Sequence, residues 1–134
     1  PIPIVADETL FDHHDALRLA RNETCDLFNI KLAKSSGIHN ALKINAIAEG
    51  AGMHCMLGCM SETRLGLTAA AHLASARPNI THTDLDSSFF HAVDPVVGGI
   101  TYQGGMIQLP DAPGIGADIP QEYLDGLTSV TLAE

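Results

Sequence analysis

The feature that most constrains this chain is a rhythm. Four polar marks, Asp7-Glu8, Lys31, Cys59-Met60 and Asp84-Leu85-Asp86, each stand at the end of an apolar run. They recur roughly 24 to 28 residues apart, about what one strand, one loop and one helix consume. Such a repeat predicts parallel β/α units whose strand ends converge on one mouth.

The local patterns agree with that rhythm. Residues 2–6 form a β-branched run, and residues 12–22 then place Ala16, Leu17, Leu19 and Ala20 at helical spacing, with Asp12 and Asp15 suited to the first turn. The second strand, residues 27–32, alternates, with Phe28, Ile30 and Leu32 on one side and Asn29 and Lys31 on the other. In a barrel the apolar set meets the helices and the polar set faces the lumen. A helix over residues 38–50 follows Ser35-Ser36-Gly37, with Ile38, Ala41, Leu42 and Ile47 expected on its buried face. Residues 53–57 read as the third strand and residues 62–76 as the third helix, in which Ala69-Ala70-Ala71 permits close packing on a sheet. Residues 80–84 read as the fourth strand, with no helix expected directly after it. Residues 94–110 then carry hairpin grammar around Gly104-Gly105. Residues 110–120 read as a Pro- and Gly-rich surface loop, and residues 121–134 as a short helix and a frayed end.

Four units are half of what an eight-stranded barrel of about 250 residues requires. The 134 residues are therefore expected to hold a half barrel over 1–93 and a C-terminal hairpin and tail over 94–134. Pro1 opens directly on a strand without an initiator Met or a leader, so the sequence is expected to start in the middle of a fold. A net charge of −9, from 7 basic against 16 acidic residues, disfavours a nucleic-acid partner. No apolar run approaches the roughly 20 residues of a membrane span, so a soluble, cytoplasmic protein is expected. The exposed edges of a half barrel invite association, which leaves a homo-oligomer open.

Cys25, Cys55 and Cys59 leave one thiol unpaired in any arrangement, and Cys55 and Cys59 on one extended strand would stand roughly 13 Å apart, too far for a disulfide. His13 and His14 point about 100° apart on a helix, which favours a solvated helix start over a metal site. Gly98-Gly99 and Gly104-Gly105 read as turns, because no Lys-bearing helix follows them to make a phosphate cradle.

The phrases Ala6-Asp7-Glu8, Asn29-Ile30-Lys31-Leu32, Gly58-Cys59-Met60-Ser61-Glu62-Thr63 and Asp84-Leu85-Asp86 carry a resemblance over nearly the whole chain. Their order and spacing resemble the muconate-lactonizing subgroup of the enolase superfamily, and within it the dipeptide epimerases. The resemblance implies an α/β fold, namely strands five to eight of an enolase-type modified TIM barrel, followed by a β-hairpin tail that joins a capping domain. It implies Mg²⁺ as cofactor with Asp7 as a ligand, and Lys31 as the second of two catalytic lysines that face each other across the substrate. It implies Asp84 and Asp86 as the grip on a free dipeptide's ammonium group, with Cys59 and Met60 beside the substrate. The implied reaction is 1,1-proton transfer at an α-carbon through an enolate, on an Ala-Glu or apolar dipeptide. The other metal carboxylates and the first lysine lie on earlier strands in the family, so the N-terminal half of the same enzyme is the implied partner. An N-acylamino-acid racemase or a cycloisomerase would share Asp7 and Lys31 without needing Asp84 and Asp86. A non-catalytic half-barrel fragment would need none of them.

The residue types suit this chemistry. Removing an α-proton becomes feasible when the developing charge spreads onto a carboxylate clamped by a cation. Asp7 offers the hard oxygen that Mg²⁺ prefers, while Glu8 is expected to point the other way. Lys31, partly desolvated and close to a cation, is expected to have a depressed pKa and to exchange protons near neutrality. Asp84 and Asp86, two residues apart on an extended strand, are expected to share one face and hold one ammonium by charge-assisted bonds.

Overall fold

The computed structural model describes residues 1–130. Four parallel strands, β1 (Val5–Ala6), β2 (Leu27–Lys31), β3 (His54–Gly58) and β4 (Ile80–Thr83), lie in the order β1-β2-β3-β4. The crossovers between them are α1 (His13–Arg21), α2 (Ile38–Gly50) and α3 (Arg64–Ala76). Strand, helix and adjacent parallel strand repeat three times, as the sequence rhythm requires.

On the helix-facing side of the sheet Phe28, Ile30, Cys55 and Leu57 are fully buried, which agrees with the alternation read in residues 27–32. β1 is shorter than its β-branched run suggests. As an edge strand it pairs only through Val5 and Ala6, and Ile2 and Ile4 stay exposed. Asp26 still ties the run down, since its carboxylate accepts from the Ile4 amide at 2.7 Å.

Asp12 caps α1, its Oδ1 accepting from the amides of His14 at 2.8 Å and Asp15 at 3.0 Å. Ala16 and Leu19 are buried, whereas Leu17 is 59 % exposed. Leu17 sits about 100° around the helix from Ala16, so the buried stripe passes it by. The face of α2 is likewise rotated from the expected one. Ala41, Ile44, Asn45 and Ala48 are buried at i, i+3, i+4 and i+7, while Ile38 is exposed. The turn into α2 passes through Ser36 and Gly37 with positive φ, and the φ of +98° at Gly37 is a conformation other residues rarely adopt.

A 3₁₀ turn over Ser87–Phe90 follows β4 in place of an α-helix. The tail then builds two small antiparallel pairs. β5 (Val97–Gly98) pairs with β8 (Ala117–Asp118), and β6 (Thr101–Gln103) pairs with β7 (Met106–Gln108) across Gly104-Gly105. The expected hairpin is present. The expected loop over 110–120 is only partly irregular, because Ala117 and Asp118 return to pair with β5. A short helix, α4 (Gln121–Asp125), follows as expected within 121–134, and the last four residues of that expected helix and frayed end, 131–134, lie outside the described residues.

One polar stripe of α3 fastens this tail. Arg64 donates to the carbonyls of Val96 and Gly98, each at 2.7 Å, to that of Ile100 at 3.1 Å, and to the Asp94 carboxylate. Four residues on, Thr68 Oγ1 accepts from the Ile100 amide at 3.0 Å, and four further on His72 Nε2 meets the Ile115 carbonyl at 3.1 Å. Ile100 is driven to full burial beneath these bonds.

Candidate functional site

The carboxyl ends of the four parallel strands bring the polar marks to one side of the sheet. Asp7 follows β1, Lys31 ends β2, Cys59 and Met60 follow β3, and Asp84 follows β4. Asn29 lies beside Met56 and Lys31 beside Gly58 on the face opposite the buried Phe28 and Ile30.

A β-bulge decides where Asp84 points. Cys55 pairs with Ile80 but Met56 pairs with His82, so Thr81 is an extra residue in β4. One inserted residue reverses the alternation. Without it Asp84 would share the helix-facing side of Ile80; with it Asp84 joins the face of Lys31, and Leu85 is buried at 2 % exposure.

The extended geometry expected for the Asp84 and Asp86 pair is not found in full. β4 ends at Thr83, and the Asp84 amide still donates to the Leu57 carbonyl at 2.9 Å. Asp86 has already turned to φ −111° and ψ −2° at the start of the 3₁₀ turn. Both carboxylates remain exposed on either side of Leu85. The two residues line an open cleft of about 570 Å³ between the β4 edge, α3 and the β6–β7 hairpin, with Phe89 and Tyr102 in its wall; Asp7, Lys31, Cys59 and Met60 do not line it. Among the described residues no Lys or Arg pairs with either.

Asp7 is the opposite case. Its Oδ2 lies 2.9 Å from Lys31 Nζ and accepts from Asn29 Nδ2 at 3.1 Å, while its Oδ1 accepts from Lys34 Nζ at 2.6 Å. Lys34, whose side chain is 4 % exposed, also donates to the carbonyls of Asp7 at 2.6 Å and Asn29 at 3.2 Å. Sequence reasoning missed Lys34. The available signal was a second lysine three residues after Lys31, in the turn that leaves β2.

These contacts set the charges. Burial alone would raise the Asp7 carboxyl, but the bonds from Lys34 and Lys31 hold it below the ordinary carboxylate range. For Lys31, burial acts to lower the pKa, and Asp7 followed by Glu8 outweighs it, so the ammonium is held above its usual value. The depressed pKa expected from sequence is therefore not found, because a carboxylate at 2.9 Å overrides a partial desolvation. Glu8 also departs from expectation. It turns its Oε1 to 3.5 Å from Lys31 Nζ.

Asn29 imposes a condition on its neighbour. A Cβ at position 58 would lie 2.6 Å from Asn29 Oδ1, so any larger residue there would have to displace the end of the Asn29 side chain. Just beyond, Cys59 is half-buried and Met60 is 47 % exposed, with the Met60 amide donating to Glu62 Oε1 at 3.0 Å. Ser87 joins the loops after β3 and β4: its Oγ accepts from the Glu62 amide at 3.1 Å and donates to the Glu62 carbonyl at 2.9 Å. The three cysteines are free, and burial pushes the Cys55 thiol up to about 12, which leaves it inert.

Asp7 offers a hard oxygen of the kind magnesium takes at a strand end, but both its oxygens are engaged by Lys31, Asn29 and Lys34, so an ion would have to share one of them, and Asp7 does not make a site alone. Among the described residues no three His, Cys, Asp or Glu side chains gather to hold a metal.

The family model described as "Enolase C-terminal domain-like" matches residues 1–123. The chain belongs to that family. It is 46 % identical to the D-Ala-D/L-Ala epimerase of Cytophaga hutchinsonii over 98 % of this chain and 36 % of that protein. It is 52 % identical to the L-Ala-D/L-Glu epimerase of Clostridium acetobutylicum over 87 % of this chain and 33 % of that protein. A crystal structure of the Cytophaga hutchinsonii dipeptide epimerase, complexed with Mg and the dipeptide D-Ala-L-Val, superposes with a TM-score of 0.91 over 96 % of this chain and 35 % of that one. The Enterococcus faecalis dipeptide epimerase, complexed with Mg and L-Leu-L-Tyr, matches at 51 % identity and a TM-score of 0.81 over 86 % of this chain and 33 % of that one. The chain thus spans about a third of the length of these enolase-family relatives.

Proposed function

We propose that this chain works as the closing strands and capping tail of a Mg²⁺-dependent dipeptide epimerase, whose earlier strands supply the rest of the site. Residues 1–93 form its share of the barrel, and residues 94–134 its share of the capping domain. The observation that carries the reading is the contrast along one sheet end. A lysine and a carboxylate stand together at β1 and β2, while two carboxylates without a cationic partner stand at β4. Relatives 46 % to 52 % identical to the chain are epimerases, and solved ones hold Mg and a dipeptide.

Asp7 would give one carboxylate oxygen to the ion, sharing it with a lysine that it now holds, and the ion would supply positive charge against which a substrate carboxylate can delocalise electrons. Lys31 Nζ, which Asp7 holds as the ammonium, returns the proton on one face of the α-carbon of the dipeptide's C-terminal residue, and serves as the base there only after losing its own proton. Asp84 and Asp86 hold the substrate ammonium, which selects a free N-terminus and fixes the α-carbon above Lys31. Cys59 and Met60 shape the wall between them. A cytoplasmic location is part of the proposal. Separately, no helix among the described residues is long and apolar enough to cross a membrane.

The test compares a free dipeptide with its N-acetylated form on the complete enzyme. Epimerisation of the free form alone supports the reading; an equal or greater rate on the acetylated form assigns the site to an acylamino-acid racemase. The 134-residue chain by itself is expected to turn over neither.

A further inference from the structure

The carboxylate pair is held from outside its own loop. Tyr102, on β6 of the tail, donates its hydroxyl to the carbonyl of Leu85 at 2.6 Å. Leu85 is the residue between Asp84 and Asp86. The same phenol oxygen stands 3.2 Å from Ser88 Oγ, so Ser88 can donate to it while Tyr102 donates to Leu85. The Tyr102 ring packs on Phe89 with centroids 4.5 Å apart. One side chain therefore touches the segment between the carboxylates and the 3₁₀ turn that follows it.

This contact matters because β4 has stopped holding the chain there. The strand ends at Thr83, and the Asp84 amide makes the last sheet-like bond. Beyond it, Leu85 is anchored by burial on one side and by Tyr102 through its carbonyl. The Tyr102 anchor is itself fixed, since Arg64 and Thr68 on α3 hold the backbone through Ile100, two residues before it. Partial burial keeps the phenol above its ordinary pKa, so it stays protonated and able to donate.

We propose that Tyr102 is a positioning residue for substrate recognition, setting the spacing of the Asp84 and Asp86 carboxylates through its bond to the Leu85 carbonyl. The inference rests on the reading of that pair as the ammonium grip. It gives the tail a specific part in selecting substrate, over and above covering the site.

The test is steady-state kinetics on the complete enzyme with Tyr102→Phe, which keeps the ring and its packing on Phe89. The expected result is a rise of about fivefold in KM for a free dipeptide, with kcat within about twofold of the parent. Ser88→Ala, which leaves the Tyr102 to Leu85 bond in place, is expected to shift KM in the same direction by less. Asp84→Asn is the companion variant. An unchanged KM in Tyr102→Phe beside a raised KM in Asp84→Asn overturns the positioning role alone. A fall in kcat and melting temperature at constant KM also overturns it, since that is the mark of a merely structural contact. An unchanged KM in both variants overturns the reading of the carboxylate pair, and the positioning role with it.

Discussion

The two ends of the four-stranded sheet use the same side chain to opposite purposes. At β1 a single carboxylate, Asp7, is held by two lysines and an asparagine amide, and every contact is within 3.1 Å. At β4 two carboxylates stand exposed around a buried leucine, with no Lys or Arg paired to them among the described residues. The first is an anion fixed in place by the fold. The second is a pair whose charge is left for something else to neutralise. A carboxylate in water costs little to leave unpaired, so β4 can wait for a cationic ligand. The partly buried Asp7 needs its counter-ions to stay ionised.

The largest expected break in that contrast comes at β4. Replacing both Asp84 and Asp86 by Asn should raise KM for free dipeptides about a hundredfold, because two charge-assisted bonds are lost. The melting temperature should stay within about two degrees, since the pair contributes no internal contact that folding depends on. Kinetics and a thermal melt on the same preparation check both halves.

The reverse pattern is expected at β1. Lys34→Met removes three bonds at once and leaves Asp7 leaning on Lys31 and Asn29 alone. Urea unfolding should show a loss of about 2 kcal/mol, below the cost of a fully buried pair because Asp7 keeps some solvent contact. Retained stability would mean that the Asp7 cluster is not fixed by Lys34.

A smaller effect follows from pH. The Asp7 pKa lies below its unfolded value of 3.8, so its contribution is fully present above that value and is lost as pH falls through the folded pKa. Lys31 is raised above 10.5, so its contribution is fully present below that value and is lost as pH rises through the folded pKa. Denaturation midpoints should therefore be flat from about pH 5 to pH 9 as far as this pair is concerned. In Lys34→Met the Asp7 carboxyl is depressed less, so the acid-side loss should be smaller and should be complete at a higher pH.

Much of this was legible in the sequence where the signal is local. The alternation over Phe28, Asn29, Ile30 and Lys31 gives strand, face and lumen residues directly, because side-chain direction in a strand has a period of two. The hairpin around Gly104-Gly105 is likewise written in its turn residues. What escaped is non-local. Lys34 sits in a turn without periodicity, and only the return of β1 beside β2 brings it to Asp7. The bulge at Thr81 leaves no mark in composition, yet it decides the face on which Asp84 stands. The polar stripe of Arg64, Thr68 and His72 reads as an exposed helix face until the tail folds over it.

The most direct test of the account is hydrogen exchange at the substrate α-carbon in D₂O, followed by NMR on each epimer of a free dipeptide, with the complete enzyme and its Lys31→Ala variant. The parent should exchange the α-hydrogen of both epimers and interconvert them. The variant should exchange one epimer only and interconvert neither, because Lys31 serves one face of the carbon. Interconversion that persists in Lys31→Ala would contradict the assignment of the proton transfer to this lysine.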